Sequence, residues 1–477
     1  MIMNQFISIF LAIIVSLPVT GWAEQPDGWF EALKNRATDQ ELHQLLYEMP
    51  KGGDLHQHLS GALFSEWWLD LALAARDDGY EYFTRVQLNN CHPYGHNAFG
   101  SSPANLMFHN LMRVNYEALS SCEKSQYRAL STLTEEQKQG WLDSLRLDKP
   151  YEGRNEFFET HWQRLGDLLA NPWIRAEGIY LNMQAFADEG LLYIEPQIAT
   201  DGYRTAEGKA IPTDQVVTIF QQRLQARDAL ATGITVRFQR AVLRFLPDAE
   251  QQMVDTYQFV ANNWPWVGVN LVGREDNDKG YPLRFLSTLR QLRQQHHGVS
   301  LSIHAGEVDE PNAHVRDTLL LGADRIGHGL NLIQDPDTML LMRHGPYLVE
   351  INLISNLLLE YVGRYDEHPF PEYLRTGIPV ALSTDDRGMW DSTMTDEFFV
   401  AVKEFNLSWP EIKQLSRNSI SYSFLEEPEK TALLNLFEKR ITEFENRLKR
   451  QTRIKLISMN SAPKRGFICR KYDICSE

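Results

Sequence analysis

Basic charge is scarce in this chain. Lys and Arg total 47 against 63 Asp and Glu, giving a formal net charge of −16 and a pI near 5.4. An extended nucleic-acid footprint needs a basic face, so no nucleic-acid partner is expected and a small-molecule ligand is favoured. Long apolar runs are equally rare. The apolar run from Phe6 to Leu17 has the length of a signal-peptide core and is short for a membrane span. Pro18 ends it, and Gly21-Trp22-Ala23 supplies small residues before a cut that removes residues 1–23. No Lys or Arg precedes the run, which is atypical of such a signal, so a retained N-terminal anchor is the competing reading. The expected destination is the periplasm or the exterior, with no stable membrane insertion after signal removal.

Cysteine is limited to four residues. Cys91 and Cys122 share one region, and Cys469 and Cys475 close the chain. In an oxidising compartment the simplest arrangement is two local bridges, although four cysteines allow three pairings. What is plentiful is core material: 43% of the 477 residues are hydrophobic and 11% aromatic, which excludes global disorder. Nothing in the sequence specifies an oligomeric state.

From Leu191 onward short β-like runs alternate with longer helical ones. The strand candidates are residues 191–198, 234–238, 267–273, 299–305, 324–329, 347–353 and 379–385, joined by "GGDLHQHL" at 52–59. Helical stretches such as "TDQVVTIFQQRLQARDALATG" and "PLRFLSTLRQLRQQHHG" separate them, each closing on a capping Gly. Eight β/α repeats predict a (β/α)8 TIM barrel over residues 24–450, with reactive side chains at the strands' C-terminal ends. Residues from about 75 to 160 break the rhythm and read as a mostly helical insertion after the first strand. Helices follow Asp386, and residues 451–477 form a basic C-terminal tail that reads as a solvated face.

His56-Gln57-His58 places two imidazoles on one side of a strand, as a metal pair requires. Alone such a triplet is weak, since 14 histidines make a chance occurrence easy. His304 and Glu307 end another strand with only Ala305 and Gly306 between them. Such an end is either a frayed polar turn or a ligand set beside a proton donor. In "ALSTDD" an apolar strand finishes in Asp385 and Asp386, which taken alone fits a helix cap. His328 lies between glycines in "RIGHG", where it has little to pack against. Three imidazoles and a carboxylate suit Zn²⁺ or a similar divalent cation.

In this order the motifs resemble the adenosine deaminase-like branch of the metal-dependent amidohydrolases; export and the added helical region are similar to its secreted, growth-factor-like members, although the insertion carries no motif matching theirs. "MPKGGDLHQHLSG", "ADEGLLYIEPQI", "VGVNLVGRE", "HAGE", "RIGHG", "EINLISNLLL", "EHPF", "LSTDD" and "NSISYSFLEEPEK" carry the resemblance. It implies one Zn²⁺ per chain bound by His56, His58, His304 and Asp385. It also implies Glu307 as donor of a proton to purine N1 and His328 as the group that orients or deprotonates the attacking water. Asp386 at N7 and the backbone N–H of Gly273 at N3 are the implied purine contacts. The implied reaction converts adenosine or deoxyadenosine to inosine or deoxyinosine plus ammonia.

Two departures bear on the substrate. Adenosine-specific members carry an acidic residue, at the ribose 5′-hydroxyl, where this chain has Ser60. Arg387 stands where proline is usual. A different 6-aminopurine (adenine, AMP or a modified adenine) is therefore the alternative substrate. A catalytically inert binding protein is the reading from another class, and the intact set of candidate residues weighs against it. His92, His96, His296, His297 and His314 read as solvated positions, and His368 as structural.

Overall fold

The computed structural model describes residues 28–91, 106–277, 279–296, 298–450 and 462–475. The proposed signal segment, His92, His96 and His297 therefore lie outside the described residues.

Eight parallel strands follow one another around the barrel in chain order. They are β1 (Gly53–His58), β2 (Tyr193–Gln197), β3 (Phe238–Leu243), β4 (Trp266–Val272), β5 (Ser300–Ala305), β6 (Arg325–His328), β7 (Leu348–Ile351) and β8 (Val380–Leu382). This is the expected (β/α)8 barrel. The third strand differs in extent: the predicted run 234–238 yields only a two-residue strand, Thr235–Val236, and the barrel strand continues to Leu243. Arg240 and Arg244 break the apolar pattern there, which hides the strand in the sequence.

The ring closes where β8 meets β1. The Asp385 amide donates to the His56 carbonyl at 2.9 Å, and the His58 amide donates to the Asp385 carbonyl at 3.3 Å. Closure is thus made by backbone belonging to candidate ligands. Helices pack outside the barrel through faces set by their apolar spacing. In Thr213–Leu224, Val216, Val217 and Phe220 form the buried stripe.

The insertion between β1 and β2 contains the expected helices, among them Glu135–Ser144. It also holds a three-stranded antiparallel sheet, Asn110–Met112, Tyr82–Arg85 and Tyr127–Ala129, that the sequence reading lacks. Strands of three or four residues are too short to show a period. Cys91 and Cys122 are bonded in this region, and Cys469 is bonded to Cys475.

The described part of the basic tail is docked rather than solvated. Phe467 and Ile468 of the helix Gly466–Tyr472 are buried, and Arg465 pairs with Asp391 at 2.6 Å and Glu66 at 3.2 Å. Among the described residues, no helix is long and apolar enough to cross a membrane.

Candidate active site

Every candidate ligand stands at a C-terminal strand end or in the turn just after it. His56 and His58 lie on β1, His304 on β5, His328 ends β6, and Asp385 follows β8. His56, His304, His328 and Asp385 each offer a ligand atom, and these atoms all lie within 4.8 Å of one another. His58 joins through Asp385, its Nε2 lying 3.3 Å from the Asp385 Oδ1 that is 3.5 Å from His56 Nε2. The structure brings all five side chains together. The tightest group contains His328 and leaves His58 at its edge.

Hydrogen bonds distinguish the imidazoles by which nitrogen holds the proton. His56 Nδ1 donates to the Glu350 carboxylate at 2.8 Å, leaving Nε2 buried without a hydrogen-bond partner. His304 Nδ1 faces Asn270 Oδ1 at 2.9 Å, while the Asn270 amide donates to Gln239 at 2.9 Å. Asn270 therefore presents its oxygen, His304 Nδ1 carries the proton, and Nε2 is free to bind a cation.

His328 is held the other way. The Phe370 amide donates to His368 Nδ1 at 3.1 Å, so His368 Nε2 donates to Asn356 Oδ1, also at 3.1 Å. The Asn356 amide then donates to His328 Nδ1 at 2.9 Å. A neutral His328 accordingly carries its proton on Nε2, the nitrogen 3.7 Å from Glu307 Oε1. Burial pushes the His328 pKa down to about 3, so the ring is neutral. An N–H there suits holding a water oxygen and does not suit ligating a metal.

Beneath the ligands a polar network fills the barrel. Arg325 Nε donates to Glu350 at 2.6 Å and its Nη2 to Glu195 at 2.5 Å, while Ser302 Oγ donates to Glu350 at 2.9 Å. Gln239 donates to Glu195 at 3.0 Å and accepts from Asn270. The network thus runs from His56 to His304 through named side chains. Glu350 and Asn270 were missed in the sequence. Their only signal is a lone polar residue within an apolar strand, in "YLVEI" and "VGVNLV".

Glu307 is 5% exposed and follows Gly306, whose φ of 78° only glycine adopts cheaply. Burial first, then Asp385 and Glu275, raises its carboxyl well above the ordinary range, which favours the protonated form. Glu275, also missed, accepts the amides of Gly306 and Glu307, each at 3.0 Å. It also pairs with His314, which is half-buried rather than solvated.

Asp386 is buried, and its Oδ1 has no hydrogen-bond partner. Burial, followed by Asp385 and Glu307, raises its carboxyl well above the ordinary range. Gly61 lies against it, since a Cβ there would sit 1.6 Å from Asp386 Oδ1. Gly273 follows β4 with a φ of 97°. Ser60 Oγ accepts from Arg175 Nη1. Arg387 points elsewhere: its guanidinium binds Glu189 at 3.0 Å and Asn182 at 2.7 Å over the Phe186 ring, anchoring the chain behind the site.

The end of the insertion reaches the barrel mouth. Trp162 sets its ring perpendicular to His58 at 6.0 Å, and Phe157 packs on Trp390 at 4.8 Å. Arg154 ties this segment to Asp309 with bonds of 3.0 and 2.7 Å. A separate cavity of about 840 Å³, lined by Trp264, Ser300, Asp324 and Phe424, opens at the opposite end of the barrel and contains none of the candidate ligands.

The donor set fits a divalent cation: free imidazole nitrogens on His56 and His304 converge on a carboxylate, and His56 Nε2 is otherwise an orphan. Barrel and site together define a metal-dependent amidohydrolase. Residues 156–440 match the family model for adenosine deaminase, and the chain belongs to that family, as a hydrolytic deaminase. The "Adenosine deaminase 2" of Dictyostelium discoideum is 24% identical over 438 residues, covering 88% of this chain and 78% of that protein. Among solved structures, an adenine deaminase from Arthrobacter aurescens superposes with a TM-score of 0.60 at 20% identity, covering 82% of this chain and 99% of that one. An amidohydrolase from Burkhoderia ambifaria, with bound Zn, gives a TM-score of 0.59 at 18% identity, covering 86% of this chain and 95% of that one. These two likenesses establish the fold.

Proposed function

We propose that the protein is an exported, zinc-dependent hydrolase that replaces the 6-amino group of a purine nucleoside by oxygen, with adenosine and deoxyadenosine as parent substrates. One observation carries the reading. His56 and His304 each commit Nδ1 to a barrel side chain and keep Nε2 for the point where Asp385 and the buried Glu307 converge. The zinc in the Burkhoderia ambifaria amidohydrolase supports the choice of metal. The apolar run at Phe6–Leu17 and the two disulfides support export.

When bound, the cation supplies the positive charge that makes water a competent nucleophile near neutral pH. The chain's own residues manage the protons. Water attack at C6 puts electron pairs on the ring, so N1 must gain a proton, and Glu307 is held neutral to give it. His328 Nε2–H fixes the direction of the attacking oxygen. Asp386, neutral in its buried place, donates to N7, and the Gly273 amide meets N3. Trp162 and Phe157 add aromatic surface beside His58 and Trp390.

A second reading keeps this chemistry and changes the far end of the substrate. The contact of Ser60 with Arg175, where an acidic residue is usual, favours it. Ammonia release from adenosine, deoxyadenosine, adenine and AMP, measured side by side on zinc-loaded protein, tests both. Turnover of none of them would reject the deaminase reading.

A further inference from the structure

Arg175 differs from three other arginines sealed in this fold. Arg325 holds Glu195 and Glu350 at 2.5 and 2.6 Å, Arg387 holds Glu189 at 3.0 Å, and Arg244 faces Glu275 at 4.0 Å. Arg175 is 4% exposed, yet no carboxylate among the described residues lies within ion-pair distance of it. Its Nη1 donates to the Ser60 hydroxyl, and its Nε has no partner. A buried guanidinium without a counter-charge is costly, and folds normally supply one. Here the missing charge is available to a ligand.

The position of this cation gives it a use. Ser60 is two residues beyond His58, and its neighbour Gly61 lies directly against Asp386. The guanidinium–hydroxyl pair therefore borders the same wall as the candidate site. Arg175 is rigidly held on the helix Pro172–Asp188, whose first turn is capped by the Asn171 side chain. Ser60 Oγ accepts from Arg175, so its own hydrogen is free to donate to something else. A buried guanidinium and a hydroxyl donor, with no carboxylate among the described residues within ion-pair distance of the guanidinium, match a phosphate monoester. On a purine nucleoside the group that commonly carries such an ester is the 5′-oxygen.

We propose that Arg175 and Ser60 form an anion-accepting subsite that takes the 5′-phosphate of a 6-aminopurine nucleotide, making AMP a better substrate than adenosine. This rests on the deaminase reading above and names its substrate class. The balanced reaction is AMP plus water giving IMP plus ammonia, with the phosphate ester untouched.

The test is the ratio of kcat/KM for AMP to that for adenosine, measured by ammonia release from the zinc-loaded full chain. The wild-type ratio is expected to exceed roughly 10, and Arg175→Met is expected to lower it about 100-fold. Ser60→Asp gives Arg175 a carboxylate and leaves no buried charge alone, so it folds even if Arg175→Met does not. It is expected to lower the ratio to a similar degree, because the new carboxylate repels phosphate. A ratio below 1 that neither variant moves would overturn the proposal. Calorimetric binding of IMP, inosine and inorganic phosphate judges the subsite independently of turnover. IMP binding more tightly than inosine, with the difference lost in Ser60→Asp, supports it. Equal binding of IMP and inosine, or phosphate bound with no preference for IMP, contradicts it. If no 6-aminopurine releases ammonia, the deaminase reading fails while this comparison still decides the subsite.

Discussion

The Glu275 carboxylate accepts the backbone amide of Glu307 at 3.0 Å and, with its other oxygen, the amide of Gly306 at 3.0 Å. One buried carboxylate therefore shapes the turn that presents another, and its negative charge helps keep that second carboxyl protonated. Glu275 thus helps to place Glu307 and, after burial and Asp385, helps to keep it protonated.

Glu275→Gln should lower kcat by roughly 10- to 100-fold, because a Gln nitrogen opposes one of the two amide hydrogens and the turn shifts. KM should change less. The pH profile carries the sign. Activity needs Glu307 protonated and is lost as pH rises through its raised value, so removing the Glu275 charge should move the alkaline limb to lower pH. An unmoved limb with an unchanged kcat would show that Glu275 only fills space.

Glu307→Gln should retain the metal and lose about 10²- to 10⁴-fold in rate, the usual range for removing a positioned proton donor. Ammonia release and metal content on the same sample read both effects. Near-normal turnover would remove Glu307 from the mechanism.

Asn356→Asp tests the relay that orients His328. A carboxylate cannot donate to His328 Nδ1, so the ring should move its proton to that nitrogen and bare Nε2. Loss of kcat by roughly 10²-fold or more, with metal retained, is the expected result for a histidine in the wrong tautomer. Unchanged kinetics would mean that the proton position on His328 is immaterial.

Glu350→Gln should weaken metal affinity about 10- to 100-fold, since the charged acceptor of the His56 Nδ1 proton is lost. Competition with a chelator measures this directly. Unaltered affinity would separate the barrel network from the metal site.

Much of the barrel and site is legible in the sequence because each chemical residue sits at a strand end marked by glycine or a sudden carboxylate. His56, His58, His304, His328 and Asp385 all have such marks. The supporting residues do not. Glu350 and Asn270 are single polar positions inside apolar strands, and their partners lie 294 and 34 residues away along the chain. Glu275 stands among other charged residues in "GREDN", which reads as an ordinary loop. Arg175 lies in the first turn of the helix Pro172–Asp188, and only its burial sets it apart from an ordinary surface arginine. The antiparallel sheet of the insertion escapes notice for a simpler reason: Asn110–Met112 and Tyr127–Ala129 are shorter than any readable period.

Metal content and ammonia release on one preparation, before and after chelation, test the central claim most directly. That claim is that β1, β5 and the turn after β8 hold a divalent cation on which deamination depends. The expected result is about one zinc per chain, loss of turnover when it is stripped and recovery when zinc is restored, with Asp385→Ala unable to retain it. Full turnover from a metal-free preparation, or zinc held by Asp385→Ala as tightly as by the parent, would contradict the account.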